Sequence, residues 1–477
     1  MKVSQRVRFI TSATALWLTI QSAGFTTPVH AQLPVENVSP LQAVEKIDNL
    51  TKQILLKEIE IERFNLHYTL TVAKQGRWKG WRYATFQEMN GSLNLTGGII
   101  SIWNRGGNLH HSQGVRLHPQ EAANYIPLIG NVVGAGAAAG EFGINTCHDL
   151  IARARGFSPG AAVKRVAKLK DEVKDLMTQR DELIKIEESD PSLSNHVLVD
   201  RTEGRILKNM LEQTLSEFAR YHVGARKLIA FQQMQYLFDV GKYTNNALGF
   251  HYAFKSLNEG NRIGNGRAGI FFVVAGQLTI WAPVLSRLFA RGAGALTRRS
   301  TRAIIDDAEK ADIAKLQNDL DALDELIRAG VASDAALATL TDRQALFEAH
   351  ERAFSQQIRA QEKKDAQAKL TATQNIAAGA FVGGDKTACG VLFLIPGFND
   401  NYRSKTERAG RVTNDLLFTS AVVGLPATAF SMLDTLRIQI RGELERRKAQ
   451  RAGKLASQIA LTRLRELDDM ERRLKAM

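Results

Sequence analysis

AGIFFVVAGQLTIWAPVLS, residues 268–286, runs nineteen positions without a charge, and the reading of the fold turns on it. A helix needs about 20 apolar residues to cross the roughly 30 Å hydrocarbon core of a bilayer, so this stretch sits at the lower limit. Two others resemble it: AANYIPLIGNVVGAGAAAG at 122–140 and LLFTSAVVGLPATAFSML at 416–433. A fourth, Leu370 to Asn399, is cut by Asp385 and Lys386, a pair costly in lipid unless shielded. Either a bilayer or the centre of a large soluble bundle would solvate such helices. The bilayer is the leading reading, because helices this rich in Gly are unstable in water, where each Gly costs roughly 0.5–1 kcal/mol relative to Ala. In 122–140, Gly130, Gly134, Gly136 and Gly140 recur near a period of four and are expected to let neighbouring helices approach closely.

Between the uncharged stretches lie charged helices with a narrow apolar seam. From Leu41, Val44, Ile47, Leu50 and Ile54 fall on one helix face. From Val163, the positions Val166, Leu169, Val173, Leu176 and Leu183 keep a heptad step that only Arg180 interrupts. Ser189, Asp190, Pro191 and Ser192 predict a turn, after which Ile206, Met210, Leu211, Leu215 and Phe218 form the returning arm of a hairpin. A second hairpin pairs Ile313, Leu316, Leu320, Leu323 and Ile327 with Leu337, Leu340, Leu346, Phe347 and Phe354 across Ala329, Gly330 and Val331. The tail, with Ile438, Leu444, Leu455, Ile459, Leu461 and Leu464, reads as one further charged helix.

The predicted fold is therefore all-α: long amphipathic, coiled-coil-like hairpins alternating with Gly/Ala-rich apolar helices. The segments are a signal at 1–31, an amphipathic helix at 32–76 and a first apolar hairpin at 77–148. A charged hairpin at 149–242, an apolar segment at 243–300 and a second charged hairpin at 301–369 follow. A third apolar hairpin at 370–435 and a charged helix at 436–477 complete the chain. Polar turns with Asn104 and Arg105, Asn261 and Arg262, and Asn401 and Arg403 suggest a threefold internal repeat, although Asn, Arg and Gly are ordinary turn residues. A true repeat would bring each apolar unit in and out on one face and leave all charged helices on the same side.

The first 31 residues are read as a secretory signal: Lys2, Arg6 and Arg8 precede an apolar core from Phe9 to Ile20 and a small-x-small site at Val29, His30 and Ala31. Its removal takes away three basic and no acidic residues, so the formal charge falls from +14 to +11. A basic exported chain is attracted to anionic lipid, and export argues against nucleic acid. Membrane lipids are thus the expected partners, with other proteins or further copies of the chain engaged through the charged helices. The expected location is a cell-envelope membrane with those helices extracytoplasmic, although Arg287, Arg291, Arg298, Arg299, Arg437 and Arg441 beside the apolar arms favour the cytoplasm. Trp78, Trp81, Arg82 and Tyr83, just before the first apolar arm, are expected at the membrane interface. Cys147 and Cys389 permit one disulfide whose loop of about 240 residues would contribute about 5 kcal/mol, or else they are two packed thiols.

Resemblances to catalytic motifs fail on physical grounds. Residues 156–160 read GFSPG, but Pro159 removes an N–H needed for an oxyanion hole, and Ser158 before Pro159 suits a helix N-cap. Residues 379–387, GAFVGGDKT, place Asp385 where a phosphate loop would bring its lysine. His110, His111 and His118 lack metal-motif spacing. No catalytic residue, metal or cofactor is expected. The leading function is a non-enzymatic, membrane-anchored helical scaffold, and the alternative is an oligomeric pore or transport component built from the Gly-rich helices, with Asp385 and Lys386 facing water. Either way, an alkaline carbonate wash should leave the chain in the membrane pellet; its recovery as a compact soluble monomer would overturn the membrane reading.

Overall fold

The computed structural model describes residues 38–73, 77–107, 109, 115–152, 154, 158–302, 313–330, 334–399, 401 and 406–476. The signal segment 1–31, His110, His111 and Val331 lie outside the described residues. The described residues form ten α-helices and one 3-10 turn, with no strand. In chain order the helices are α1 (Pro40–Ala73), α2 (Arg77–Gly106), α3 (Leu117–Ala152), α4 (Pro159–Glu187) and α5 (Ser194–Glu259). They continue with α6 (Ile263–Arg302), α7 (Ile313–Arg328), α8 (Asp334–Phe398), α9 (Glu407–Arg451) and α10 (Ala456–Ala476).

Local chemistry sets the helix ends. Ser39 and Gln42 form a reciprocal capping box at the start of α1, with Pro40 in the first turn. Ser158 caps α4, its hydroxyl accepting from Ala161 N at 3.0 Å ahead of Pro159, so this serine starts a helix. Asp190 accepts from Ser192 N at 2.9 Å and turns the chain between α4 and α5. Gly260, Gly330 and Gly453 adopt left-handed backbone, φ 63°, 69° and 66°, after α5, α7 and α9. Gly453 divides the tail into the end of α9 and a separate α10, where one helix was expected. α5, 66 residues long, passes through residue 242 without interruption, and α8, 65 residues long, passes through 369.

α1, α4, the first half of α5, α7, the start of α8 and α10 pack into a bundle with one large core. Its buried residues include Val166, Leu169, Val173, Ile206, Leu215, Leu316, Leu323, Leu340 and Phe347, the seam positions read from the heptads. Arg180, the interruption in the α4 seam, is 1% exposed. Its guanidinium donates to Thr51 Oγ1 at 2.8 Å, Asp200 O at 2.7 Å and Asp200 Oδ1 at 3.1 Å, with Glu203 at 3.5 Å. Arg343 of α8 reaches the same Glu203 at 3.2 Å and Asp48 of α1 at 2.8 Å. One buried polar cluster thus ties α1, α4, α5 and α8 together; removing one partner of such a cluster costs about 3–5 kcal/mol.

A second cluster docks α10. Arg463 donates to both oxygens of Glu62, at 2.6 and 3.2 Å, and His350 lies 3.5 Å from the same carboxylate. Burial works against the Glu62 charge, but the His350 hydrogen bond and Arg463 prevail and hold its pKa down to about 2. That contribution is present above pH ~4.5 and is lost as pH falls toward 2. Glu58, one turn earlier, is the opposite case: both its oxygens are buried without a partner, and burial, then the Glu62 charge, raises its pKa well above 4.5. The fold holds a proton there that the unfolded chain releases, so Glu58 subtracts stability as pH rises past 4.5. Glu58→Gln is expected to raise the thermal midpoint at pH 7.5 by roughly 2–4 °C and to leave it unchanged at pH 4, as read by differential scanning calorimetry.

Candidate functional site

The remaining helical segments form a ring. α2 packs on α3, α3 on the second half of α5, α5 on α6, α6 on the second half of α8, α8 on α9, and α9 returns to α2. Three hairpins, α2/α3, α5/α6 and α8/α9, supply the six members. α5 and α8 run outward from the bundle, so the connections beyond Gly106, Glu259 and Phe398 lie at the far end. Charged helices therefore leave the ring at one end.

The ring has an apolar exterior. Apart from Leu41, Leu198, Ile459 and Leu461, the exposed large apolar side chains among the described residues lie on these six segments, including Trp103, Val132, Leu237, Trp281, Phe381 and Leu433. Three helical stretches are long and apolar enough to cross a membrane: α6, residues 370–398 of α8, and α9. The 122–140 stretch of α3 is not among them, because Asn124, Asn131 and its glycines lower its hydropathy, whereas 370–398 qualifies despite Asp385 and Lys386.

Polar groups are buried inside. Asn131 of α3, fully buried, donates to Asn94 Oδ1 of α2 at 3.0 Å, and Asn94 donates to Asn90 Oδ1 at 2.7 Å. Arg105 near the end of α2 donates to Asn414 Oδ1 of α9 at 3.2 Å, and Asn414 donates back to Arg105 O at 3.3 Å. Cys389 of α8 donates to Ser420 O of α9 at 3.2 Å, and Ser420 Oγ donates to Cys389 O at 3.3 Å. These pairs join helices where lipid offers no substitute hydrogen bond.

At the centre is a cavity of about 310 Å³ lined by all six helices. Lys242 and Tyr243 of α5, Asp385 and Lys386 of α8, Asn90 of α2 and Ser420 of α9 face it. Lys242 is neutralised by Asp239 at 2.6 Å and lies 4.3 Å from the Tyr243 ring. The second oxygen of Asp239 accepts from Tyr83 OH at 2.5 Å. Asp385 and Lys386 are half-buried at the chamber wall.

The ring closes through glycine where α6 meets α8. A methyl group on Gly276 would lie 2.7 Å from Thr387 N and 2.8 Å from Gly383 O, and one on Gly383 would lie 2.6 Å from Gly276 O. Gly269 and Gly390, and Gly266 and Gly397, repeat this backbone approach along the interface. The stretch GAFVGGDKT is thus an uninterrupted part of α8 whose Gly379 and Gly383 meet α6. The glycines expected to pack in α3 divide: Gly130 faces Leu93 and Asn90, Gly134 faces the Tyr243 ring, and Gly136 and Gly140 face open space.

Other expected positions are placed as follows. Trp81 is exposed, Arg82 pairs with Glu141 at 2.5 Å, and Tyr83 is buried against Asp239 and Tyr236; the Trp78 side chain lies outside the described residues. Cys147 is exposed on α3 and Cys389 is half-buried at the chamber, both as free thiols. His118 pairs at the surface with Glu121. No family model matches the chain, and no curated protein or solved structure matches it either.

Gly383→Leu is expected to prevent α6 and α8 from meeting and to destabilise the detergent-solubilised protein by about 2–3 kcal/mol or more. Gly136→Leu, with nothing within 4 Å of the added carbon, is expected to leave it unchanged. Paired melting curves check both.

Proposed function

We propose that the chain is a membrane transport protein in which a single copy encloses the path for a small polar solute, with the helical bundle standing outside the membrane. The observation that carries this reading is the inverted surface of the ring: apolar side chains outside, and Lys242, Asp385, Lys386 and asparagines around a central chamber. Ionisable side chains at a membrane-embedded level cost about 2.5–3.5 kcal/mol each on insertion scales, and they are retained where they face a water-filled cavity or a substrate. A passive scaffold has no need of such a chamber. An oligomer is not required to line the path, since six helices of one chain already do so.

If the N-terminal segment acts as a secretory signal, α1 starts outside the cytoplasm, and paired crossings then place the whole bundle in the extracytoplasmic compartment of an envelope membrane. Cys147, exposed at the bundle end of α3, would then react with a membrane-impermeant maleimide in intact cells; labelling only after lysis would reverse this orientation.

The transport reading is tested with the full chain in liposomes. Protein-loaded vesicles are expected to take up a small polyol such as glycerol or erythritol faster than empty ones. In a Cys147→Ser background, a small methanethiosulfonate reagent that reaches Cys389 is expected to slow this uptake about tenfold by narrowing the chamber. Equal uptake by loaded and empty vesicles would refute the reading.

A further inference from the structure

Two neighbouring charges at the chamber wall form no ion pair. Asp385 and Lys386 are consecutive residues on α8, and consecutive helical side chains point in different directions and do not face each other. Accordingly, Asp385 Oδ2 is buried with no hydrogen-bond partner, and the Lys386 side chain has neither an ion pair nor a hydrogen bond among the described residues. Another acid, Asp239 of α5, is already committed: it is bound by Lys242 at 2.6 Å and by Tyr83 at 2.5 Å, a closed and electroneutral set. Lys242, Asp239 and Asp385 all lie within electrostatic reach of Lys386, and none of them forms an ion pair with it. On the α2 wall, Glu88 has a second buried and unpartnered carboxylate oxygen, Oε1. Asp434, which also lines the chamber, is paired with Arg437 at 2.6 Å.

The chamber is therefore lined by an ammonium without an ion pair and by the carboxylates of Asp385 and Glu88, held on rigid helices around a space of about 310 Å³. A simple anion would answer Lys386 and leave the carboxylates unmet; a simple cation would do the reverse. Buried charges are tolerated when they are paired, and a ligand that carries both signs pairs both at once.

We propose that the chamber binds a small zwitterion of the amino-acid type, its carboxylate on Lys386 and its ammonium on Asp385, with Glu88 as a second acceptor. This specificity rests on the transport reading above. The carboxamide of Asn246 and the oxygen of the Ser420 hydroxyl, whose proton goes to Cys389 O, are neutral groups that also line the chamber. The cavity suits a solute of a few heavy atoms, and selection among amino acids falls to the side-chain space near Phe250 and Phe393.

The test compares uptake of alanine, lactate, ethylamine and erythritol by liposomes holding the full chain. Alanine is expected to enter at least tenfold faster than lactate or ethylamine. Lys386→Gln and Asp385→Asn are each expected to abolish that preference while the detergent-solubilised variants still melt cooperatively, which shows that they are folded; Lys386→Arg is expected to restore part of it. Lactate or ethylamine entering as fast as alanine, or Lys386→Gln leaving alanine uptake unchanged, would overturn the zwitterion site while erythritol entry left the path itself standing. Failure of all four solutes to enter would refute the transport reading, and the zwitterion site with it.

Discussion

Hydrocarbon offers no hydrogen bonds, and that constraint organises the molecule. A helix carrying Asn, Asp and Lys among apolar residues cannot expose them to lipid, and a single such helix has nowhere to hide them. Six helices in a ring do: each turns its apolar face outward and its polar face toward the centre or toward a neighbour. The asparagines of α2 and α3 bond to one another, Arg105 reaches Asn414, and Lys242 pairs with an Asp239 that also accepts from Tyr83. Asp385 and Lys386, which have no ion pair, line the chamber.

Closure of the ring depends on how near two backbones can come. Along α6 and α8 the glycines fall at matching positions, so Gly276 meets Gly383 and Gly269 meets Gly390 with no side chain between them. Elsewhere around the ring the joints are made by larger side chains meeting small ones: Pro127 on Gly97, Met432 on Gly91, Phe272 on Gly249. Such contacts rely on dispersion and shape, since lipid gives apolar surfaces no reason to leave it.

The helical class, the bundle seams and most of the turns were legible in the residues, because heptad spacing and capping chemistry are local. Val166, Leu169, Val173, Ile206 and Leu215 point inward as their spacing requires. Arg180 read only as a gap in a seam, since the groups that bind it, Thr51 and Asp200, belong to other helices. The chamber was less visible. Lys242 and Asp239 sit near the end of what reads as a charged hairpin, and nothing in their surroundings marks the level at which α5 leaves the bundle and enters the ring. Glycine periodicity within α3 located one packing face in part, through Gly130 and Gly134, but a period describes one helix and says nothing of its partner. The α6/α8 register joins glycines more than a hundred residues apart, which no local pattern reveals.

α5 and α8 each belong to both halves of the molecule. Along α8, Phe347 is fixed in the bundle core and Lys386 in the chamber wall, with unbroken helix between them. At 1.5 Å per residue those 39 steps span about 60 Å, so a tilt of about 5° at the bundle would carry the far end sideways by about 5 Å, on the order of the chamber's own width. The two long helices tie the halves together: one continuous rod carries both the core packing of Phe347 and the placement of Lys386.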